Sequence, residues 1–94
     1  MQWMELIQIR STDSNRKLLE SKLQRLVGEV CRARNKEAIT AYSRLWIETD
    51  FCIRILHESK ELETSGSRLG LRLAVALKEY GLVDYSIWRE MSSK

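Results

Sequence analysis

The chain has 94 residues, of which 44% are hydrophobic and 31% charged, and its formal net charge is +3. This length suits one domain with a single core, and the composition argues against a disordered chain. The longest apolar run, residues 73–77, is too short for a membrane span, and the first ten residues lack the pattern of a secretory signal. We therefore expect one cytoplasmic domain over residues 1–94, with no membrane partner.

The first two predicted elements are a strand and a long helix. Residues 3–11 mix apolar and polar positions in near alternation, with Ile7 and Ile9 on one side, which predicts a strand buried on both faces. The turn sequence TDSN follows, and leucines and valines then recur at helical spacing. This pattern predicts a helix over residues 15–33.

The next segment has the two-residue period of a β-hairpin, with residues 48–50 at its turn. A loop of three or five residues pairs Leu45 with Ile53 and Ile47 with Phe51, which joins two apolar stripes. An even loop would break these stripes. We therefore predict an odd loop.

The same register sets Arg44 opposite Arg54, a like-charge pair that destabilises a sheet unless an anion offsets it. That anion is either a carboxylate of this chain or a second subunit, which we favour, or a bound ligand.

Residues 63–70, ETSGSRLG, precede the second predicted helix. A helix N-terminus can bind an anion, but the spacing matches neither of the phosphate-binding glycine motifs. Ser65 or Ser67 as the helix N-cap, with Gly66 relaxing the turn, explains the stretch. Gly70 falls inside the helix, where glycine is unfavourable, so we expect a close approach there to the sheet or to a ligand.

The second helix begins at residue 68 and is expected to end at Gly81 in a left-handed cap. Residues 82–91 then alternate as a last strand. The polar segment 57–63 is interpreted as a solvated connection, with a lid over a cleft as the alternative.

This element order predicts an α+β, ferredoxin-like βαββαβ domain, with a four-stranded antiparallel sheet in the order 4-1-3-2 and two helices on one face. The residues expected on the helix-covered face are Ile7, Ile9, Ile39, Leu45, Ile47, Phe51, Ile53, Ile55, Val83, Tyr85 and Ile87.

The other face of this sheet is too apolar to be left in water. Its large aromatic and aliphatic side chains form a patch of a size that soluble monomers rarely expose. A second copy of the chain is the simplest cover, because two-fold dimers are the commonest assemblies. We expect a homodimer whose interface is formed by Leu6, Tyr42, Trp46, Leu56 and Trp88.

A short βαββαβ chain with an apolar outer sheet face resembles the dimeric α+β barrel superfamily, which includes the antibiotic-biosynthesis monooxygenase-like family. The resemblance covers nearly the whole chain and rests on element order and sheet patterning. It implies that the sheets of two subunits pack together, and that a cleft between sheet and helices binds a small organic molecule, which some members oxidise without a cofactor. Relatives that degrade haem use an Asn that the first strand here lacks, so no cofactor is expected.

Few side chains offer chemistry for such a cleft. His57 is the only histidine and becomes the candidate acid/base residue, with Glu5 as its candidate orienting partner. Trp46, Ser67 and Arg68 join His57 as candidate ligand-binding residues. The two cysteines lack metal-site spacing, so no metal is expected.

Two other functions remain open. A non-catalytic dimerisation or regulatory module would use the same apolar face. An RNA-binding domain of this fold would stack bases on aromatic residues of its central strands. Here those strands offer Leu6, Gln8, Cys52 and Arg54, so we expect no nucleic-acid partner.

Overall fold

A computed structural model describes residues 2–33, 38–58 and 64–91. The strands and helices are β1 (Gln2–Ser11), α1 (Arg16–Ala33), β2 (Ala38–Ser43), β3 (Asp50–Glu58), α2 (Arg68–Leu77) and β4 (Gly81–Arg89). One turn of 3₁₀ helix, Lys78–Tyr80, joins α2 to β4. This order confirms the predicted ferredoxin-like α+β fold. Neither helix in these ranges is long and apolar enough to span a bilayer.

The strands form one antiparallel sheet in the order β2-β3-β1-β4, which is the predicted order counted from the other edge. The central strand β1 pairs with β3 on one side and with β4 on the other along nearly its whole length. A side chain on β1 is therefore flanked by two strands, which makes this strand the natural support for a site.

The core fills the space between the sheet and the helices. Helix α1 contributes Leu19 and Leu23, and α2 contributes Leu73 and Leu77, to the same buried cluster as the inward residues of the strands. The strand residues of that cluster are Ile7, Ile9, Ile39, Phe51, Ile53 and Ile55. Burying each of these large side chains stabilises the fold by roughly 1.5–3 kcal/mol.

The β2–β3 hairpin differs from its predicted register. Ser43 pairs with Phe51 and Ala41 pairs with Ile53, so residues 44–49 connect the two strands. Because Arg44 lies opposite Asp50, five residues, 45–49, lie inside the last pair, and the prediction of an odd loop is confirmed. The predicted partner of Ile53 was Leu45, and the true partner lies four residues earlier in the chain. Because four is an even number, each strand keeps its predicted inward and outward faces.

An interaction between the ends of the strands closes this hairpin. The backbone N–H of Arg44 donates to the carbonyl of Asp50 at 2.9 Å, and Arg44 Nη1 lies 3.0 Å from Asp50 Oδ2. The predicted Arg44–Arg54 pair is therefore wrong, since Arg54 lies opposite Thr40 and over the ring of Tyr42.

Three apolar residues leave the sheet as a consequence. Leu45, Trp46 and Ile47 lie in the loop, and their exposed fractions are 74%, 90% and 36%. Placing Leu45 and Ile47 in the core was wrong, and Trp46 lies beyond the sheet face on which it was expected. Trp46 also has a φ of 70°, a left-handed conformation that a bulky residue rarely adopts.

The end of α2 also differs from the prediction. Gly81 has an extended backbone, with φ of 164°, and is the first residue of β4. The left-handed cap expected there was wrong, and the reason for a glycine is steric, because a Cβ at Gly81 would overlap the carbonyl of Arg10. Of the segment proposed as a lid, residues 59–63 lie outside the described residues.

A cross-strand disulfide tests the observed register. Tyr42 lies directly opposite Cys52, and such partners have Cα atoms about 4.5–5.5 Å apart, within the range of a disulfide. We expect Tyr42→Cys in a Cys31→Ser background to form an intramolecular disulfide on mild oxidation. The intact mass under non-reducing conditions should show the loss of two hydrogens at the mass of one chain.

Trp46→Cys in the same background is the matched control, since the register predicted from apolar stripes would set residue 46 opposite Cys52. An intramolecular disulfide in this control, and none in Tyr42→Cys, would contradict the structure.

Candidate functional site

Glu5 lies on the helix-covered face of the central strand. The two-residue period that turns Ile7 and Ile9 inward also turns Glu5 inward, and its side chain is 0% exposed. A carboxylate buried in this way is unfavourable unless donors surround it. The groups that surround it define the candidate site.

Among the described residues, four hydrogen bonds reach the two carboxylate oxygens. The backbone N–H of Ser67 donates to Oε2 at 3.0 Å, and the Ser67 hydroxyl donates to Oε1. The Tyr85 hydroxyl donates to Oε2, and His57 Nε2 lies 2.7 Å from Oε1. We call Trp3, Glu5, His57, Ser67 and Tyr85 the Glu5 cluster.

The sheet brings two of these partners to Glu5. Directly opposite Glu5 are Ile55 on β3 and Ile87 on β4, and the next inward residues along those strands are His57 and Tyr85. Such diagonal neighbours lie within reach of long side chains. The pairing of His57 with Glu5 agrees with the expectation from the sequence.

The start of α2 supplies the other donors. Ser67 is the N-cap, as predicted, and its hydroxyl accepts from the backbone N–H of Gly70 at 3.0 Å. The partial positive charge of a helix N-terminus favours a carboxylate. Glu5 therefore occupies the position at the Ser67 N–H where an external anion could otherwise bind.

Two glycines make room for this contact. A Cβ at Gly70 would overlap the Glu5 carboxylate, which is the close approach expected from a glycine inside a helix. Gly66 has a φ of 87°, and a Cβ there would overlap the Tyr85 hydroxyl. The glycines of the 63–70 stretch thus fit α2 against a carboxylate of the same chain.

Trp3 covers the histidine. It is 3% exposed, and its ring stacks on that of His57 with a centroid distance of 4.1 Å and an interplanar angle of 18°. Within the described ranges, Trp3 Nε1 is buried and has no hydrogen-bond acceptor. The His57 side chain is 14% exposed, so it is the member of the Glu5–His57 pair that solvent reaches.

The electrostatics of the site follow from these contacts. Burial raises the pKa of Glu5, but the hydrogen bonds from Ser67, Tyr85 and His57 outweigh it, and the pKa lies below its ordinary value. At neutral pH Glu5 is therefore an ionised acceptor, so Nε2 of His57 carries the hydrogen between them. The carboxylate thereby fixes the orientation of the imidazole, an arrangement suited to acid/base chemistry.

The structure joins some of the predicted site residues and separates others. His57 and Ser67 meet at the Glu5 carboxylate. Arg68 is exposed at the start of α2, and no described contact links it to the cluster. Trp46 lies in the loop beyond the opposite end of β3 from His57, and the strand from Asp50 to His57 alone spans about 23 Å.

Sequence reasoning did not assign Trp3 or Tyr85 to the site. Tyr85 was expected in the core, and Trp3 was not assigned to a face. The alternation of β1 did indicate the position of Trp3. Every second residue of a strand lies on the same face, so the face that carries Ile7 must also carry Trp3 and Glu5. An ionisable residue at an inward position of a strand is the feature that could have located the cluster.

The outer face carries the residues expected at a dimer interface, apart from Trp46. Tyr42 and Trp88 are 43% and 53% exposed, and Leu6 and Leu56 are partly buried beside them. A groove of about 240 Å³ opens at the end of the sheet where β1 begins. We call it the Trp88 groove; its lining residues are Gln2, Trp3, Met4, Leu56, Trp88, Arg89 and Glu90.

A smaller groove of about 140 Å³ lies between α1 and β2, beside Leu23, Ala41 and Phe51. In the part of the chain that the structure describes, no three His, Cys, Asp or Glu side chains are grouped closely enough to hold a metal ion.

Comparison with known proteins supports the fold. No protein-family model matches the chain, and no curated protein matches it in sequence. Among solved structures it is similar to Rv0793 from Mycobacterium tuberculosis, with a TM-score of 0.70 and 13% sequence identity over 99% of this chain and 98% of that chain. A likeness at this identity establishes a shared α+β fold.

The pH dependence of stability tests the buried carboxylate. The pKa of Glu5 in the folded protein lies below 4.5, so the ionised carboxylate stabilises the fold above that pH. This stabilisation is lost as the pH falls through the lowered pKa of the folded state. We expect Glu5→Gln to lower the free energy of unfolding at pH 7 by about 1.5–3 kcal/mol. The difference from the wild type should shrink as pH falls below 4.5, in urea titrations at constant protein concentration.

Glu20→Gln, on the exposed side of α1, is the matched control and should keep the wild-type pH profile. A Glu5→Gln deficit that stays constant from pH 7 to pH 3 would contradict an ionised Glu5.

Proposed function

We propose that this chain is a cytoplasmic homodimeric domain of the dimeric α+β barrel kind, antibiotic-biosynthesis monooxygenase-like, that binds a small organic molecule beside the Glu5 cluster. His57 exchanges a proton with that molecule. The observation that carries the proposal is the Glu5 carboxylate, which is 0% exposed and holds a histidine that solvent reaches.

Stability alone is a poor reason for such an arrangement. Replacing a buried ionic group by apolar residues of similar volume is often neutral or stabilising, because desolvation opposes burial of the charge. This chain nevertheless buries a carboxylate in its central strand and fits two glycines around it and its tyrosine partner. A carboxylate that orients an imidazole recurs in enzymes that move protons, where it selects the tautomer.

The surroundings of His57 favour a flat, weakly acidic ligand. Trp3 provides an aromatic wall on one side of the imidazole, and the imidazole is the candidate acid/base group. A phenol or an enol has both the flat shape and an acidic hydroxyl. Oxidation, which the family resemblance adds, would use dioxygen as the oxidant. The deprotonated phenol would gain one oxygen atom and become a quinone, and the other oxygen atom would leave as water.

Binding is tested by NMR with ¹⁵N-labelled protein and a panel of substituted phenols. We expect the ring nitrogens of His57 and the amide of Ser67 to shift together on titration, because both groups contact the same carboxylate. His57→Gln should abolish the shift at Ser67, and Arg68→Gln should retain it, since Arg68 points to solvent at the neighbouring position.

Shifts confined to the groove between α1 and β2, near Ala41 and Phe51, would move the ligand site away from the Glu5 cluster. If no compound perturbs His57, the non-catalytic alternative, a dimerisation or regulatory module that uses the outer sheet face, is favoured.

The homodimer is supported by the outer face itself. Trp88 is exposed there beside Met4, with Leu56 on the other side of Met4, and Tyr42 is exposed at the opposite edge beside Cys52. Exposed apolar surface of this kind usually marks an interface. On the central strands the outward residues are not aromatic, so the stacking platform of an RNA-binding sheet is missing from this described face.

Solution mass tests the dimer. Light scattering should give twice 11.0 kDa for the wild type and 11.0 kDa for Trp88→Glu, because a charge on an apolar interface opposes association. Val75→Glu, on the exposed side of α2, is the control and should stay dimeric. A monomeric wild type, or equal dissociation by both variants, would refute the interface.

A further inference from the structure

The β2–β3 loop holds three apolar side chains in solvent. We call residues 44–49 the Trp46 loop, and its tip is formed by Leu45, Trp46 and Ile47, with Trp46 90% exposed. The loop is firmly attached at its far side, where Glu48 pairs with Arg16 at 2.7 Å and the Thr49 carbonyl accepts from the backbone N–H of Ser11 at 2.7 Å. These contacts hold the exposed tip in one place.

The backbone at the tip is strained. Trp46 has a φ of 70°, which is unfavourable for a residue with a large side chain, whereas glycine adopts it readily. Strain of this kind persists where a function requires it. Here it directs the largest side chain of the loop outward, away from the chain's own core.

The Trp88 groove lies at the other end of the sheet. Its volume of about 240 Å³ is below the roughly 300–1,000 Å³ of pockets for drug-sized ligands and suits a single large side chain. Trp3, Met4, Leu56 and Trp88 provide its apolar lining. The chain thus presents an aromatic tip and an apolar groove at opposite ends of one sheet.

Two-fold symmetry brings these two features together. Consider two sheets that pack face to face, with a two-fold axis between them that is perpendicular to the strands. The loop end of each copy then lies over the groove end of the other, so the same contact forms twice. Arg44 pairs with Asp50 of its own chain, but its side chain stays 56% exposed at the start of the loop. In this orientation it also approaches the carboxylates of Glu58 and Glu90, which lie with Arg89 at the groove end. Opposite charges at these positions favour this orientation over one that sets like ends together.

The area of the sheet also calls for an additional contact. Ten residues of β1 and four strands give a face of about 33 Å by 19 Å, roughly 600 Å². This is less than the roughly 800 Å² per partner of a standard stable interface, and the shorter β2 reduces it further. A loop inserted into a groove at each end of the interface supplies the missing area.

We propose that Trp46 of each protomer inserts into the Trp88 groove of its partner. This inference rests on the homodimer of the proposed function and specifies how that dimer is locked. It also brings the partner near the site, because Trp3, which stacks on His57, is among the residues that line the groove. The partner's tryptophan therefore lies next to the residue that covers the candidate acid/base histidine.

Dimer dissociation constants from sedimentation velocity test the insertion. Trp46→Gly suits the left-handed backbone, so the monomer keeps its fold, and we expect its dimer to dissociate at a concentration at least tenfold higher than the wild type. Leu6→Glu, in the centre of the sheet face, should abolish the dimer. Val75→Ala, on the exposed side of α2, is the neutral control.

The outcomes separate the two proposals. A Trp46→Gly dimer as tight as the wild type, with Leu6→Glu monomeric, would overturn the insertion and keep the sheet-face dimer. A Leu6→Glu variant that stays dimeric, or a monomeric wild type, would overturn the sheet-face dimer and the insertion with it.

Photo-crosslinking identifies the acceptor directly. A benzoylphenylalanine at position 46, in an equal mixture of ¹⁴N and ¹⁵N protein, should give products that join one light and one heavy chain. We expect the crosslinked peptides to contain residues 2–4, residue 56 or residues 88–90. Crosslinks within one chain, crosslinks to α1 or α2, or crosslinks to added anionic lipid vesicles in place of a second chain would overturn the proposal.

Discussion

The burial of the Glu5 carboxylate is the constraint on which this arrangement depends. An ion at 0% exposure must be surrounded by donors, and those donors set the position of each neighbouring element. They require Ser67 at the first turn of α2, Tyr85 on the inner face of β4 and His57 at the end of β3. Gly66 and Gly70 follow from the same requirement, because a side chain at either position would collide with the cluster. A polar interaction, rather than apolar packing alone, thus places α2 against the sheet.

The two faces of the sheet take different roles, and β1 links them. Its inward residues carry the core and the Glu5 cluster, and its outward residues Met4 and Leu6 belong to the proposed interface. Trp3 connects the two regions, since it stacks on His57 and also lines the Trp88 groove at the strand end. A partner seated on the outer face would therefore alter the surroundings of the histidine through one intervening ring, which couples assembly to the candidate site.

The sequence could locate part of the candidate site. A lone histidine on an inward position and a glutamate of matching parity on β1 were enough to propose the Glu5–His57 pair, because strand periodicity assigns faces reliably. The contributions of Trp3 and Tyr85 were missed, since both read as ordinary apolar residues. Their roles depend on which residues lie diagonally across the sheet, and this is a property of strand pairing that no local pattern contains.

What the sequence by itself determined is the element order and the inward and outward faces of the strands, and it narrowed the N-cap of α2 to Ser65 or Ser67, because each follows from periodicity or from local side-chain chemistry. The hairpin register was decided by the tertiary structure. Apolar stripes permit any shift by an even number of residues, so alternation could not choose between Leu45 and Ala41 as the partner of Ile53. The choice was made by closure of the hairpin between Arg44 and Asp50 and by attachment of the loop to Ser11 and Arg16. These contacts join residues distant in the chain, and they leave Trp46 outside the sheet with 90% of its surface exposed.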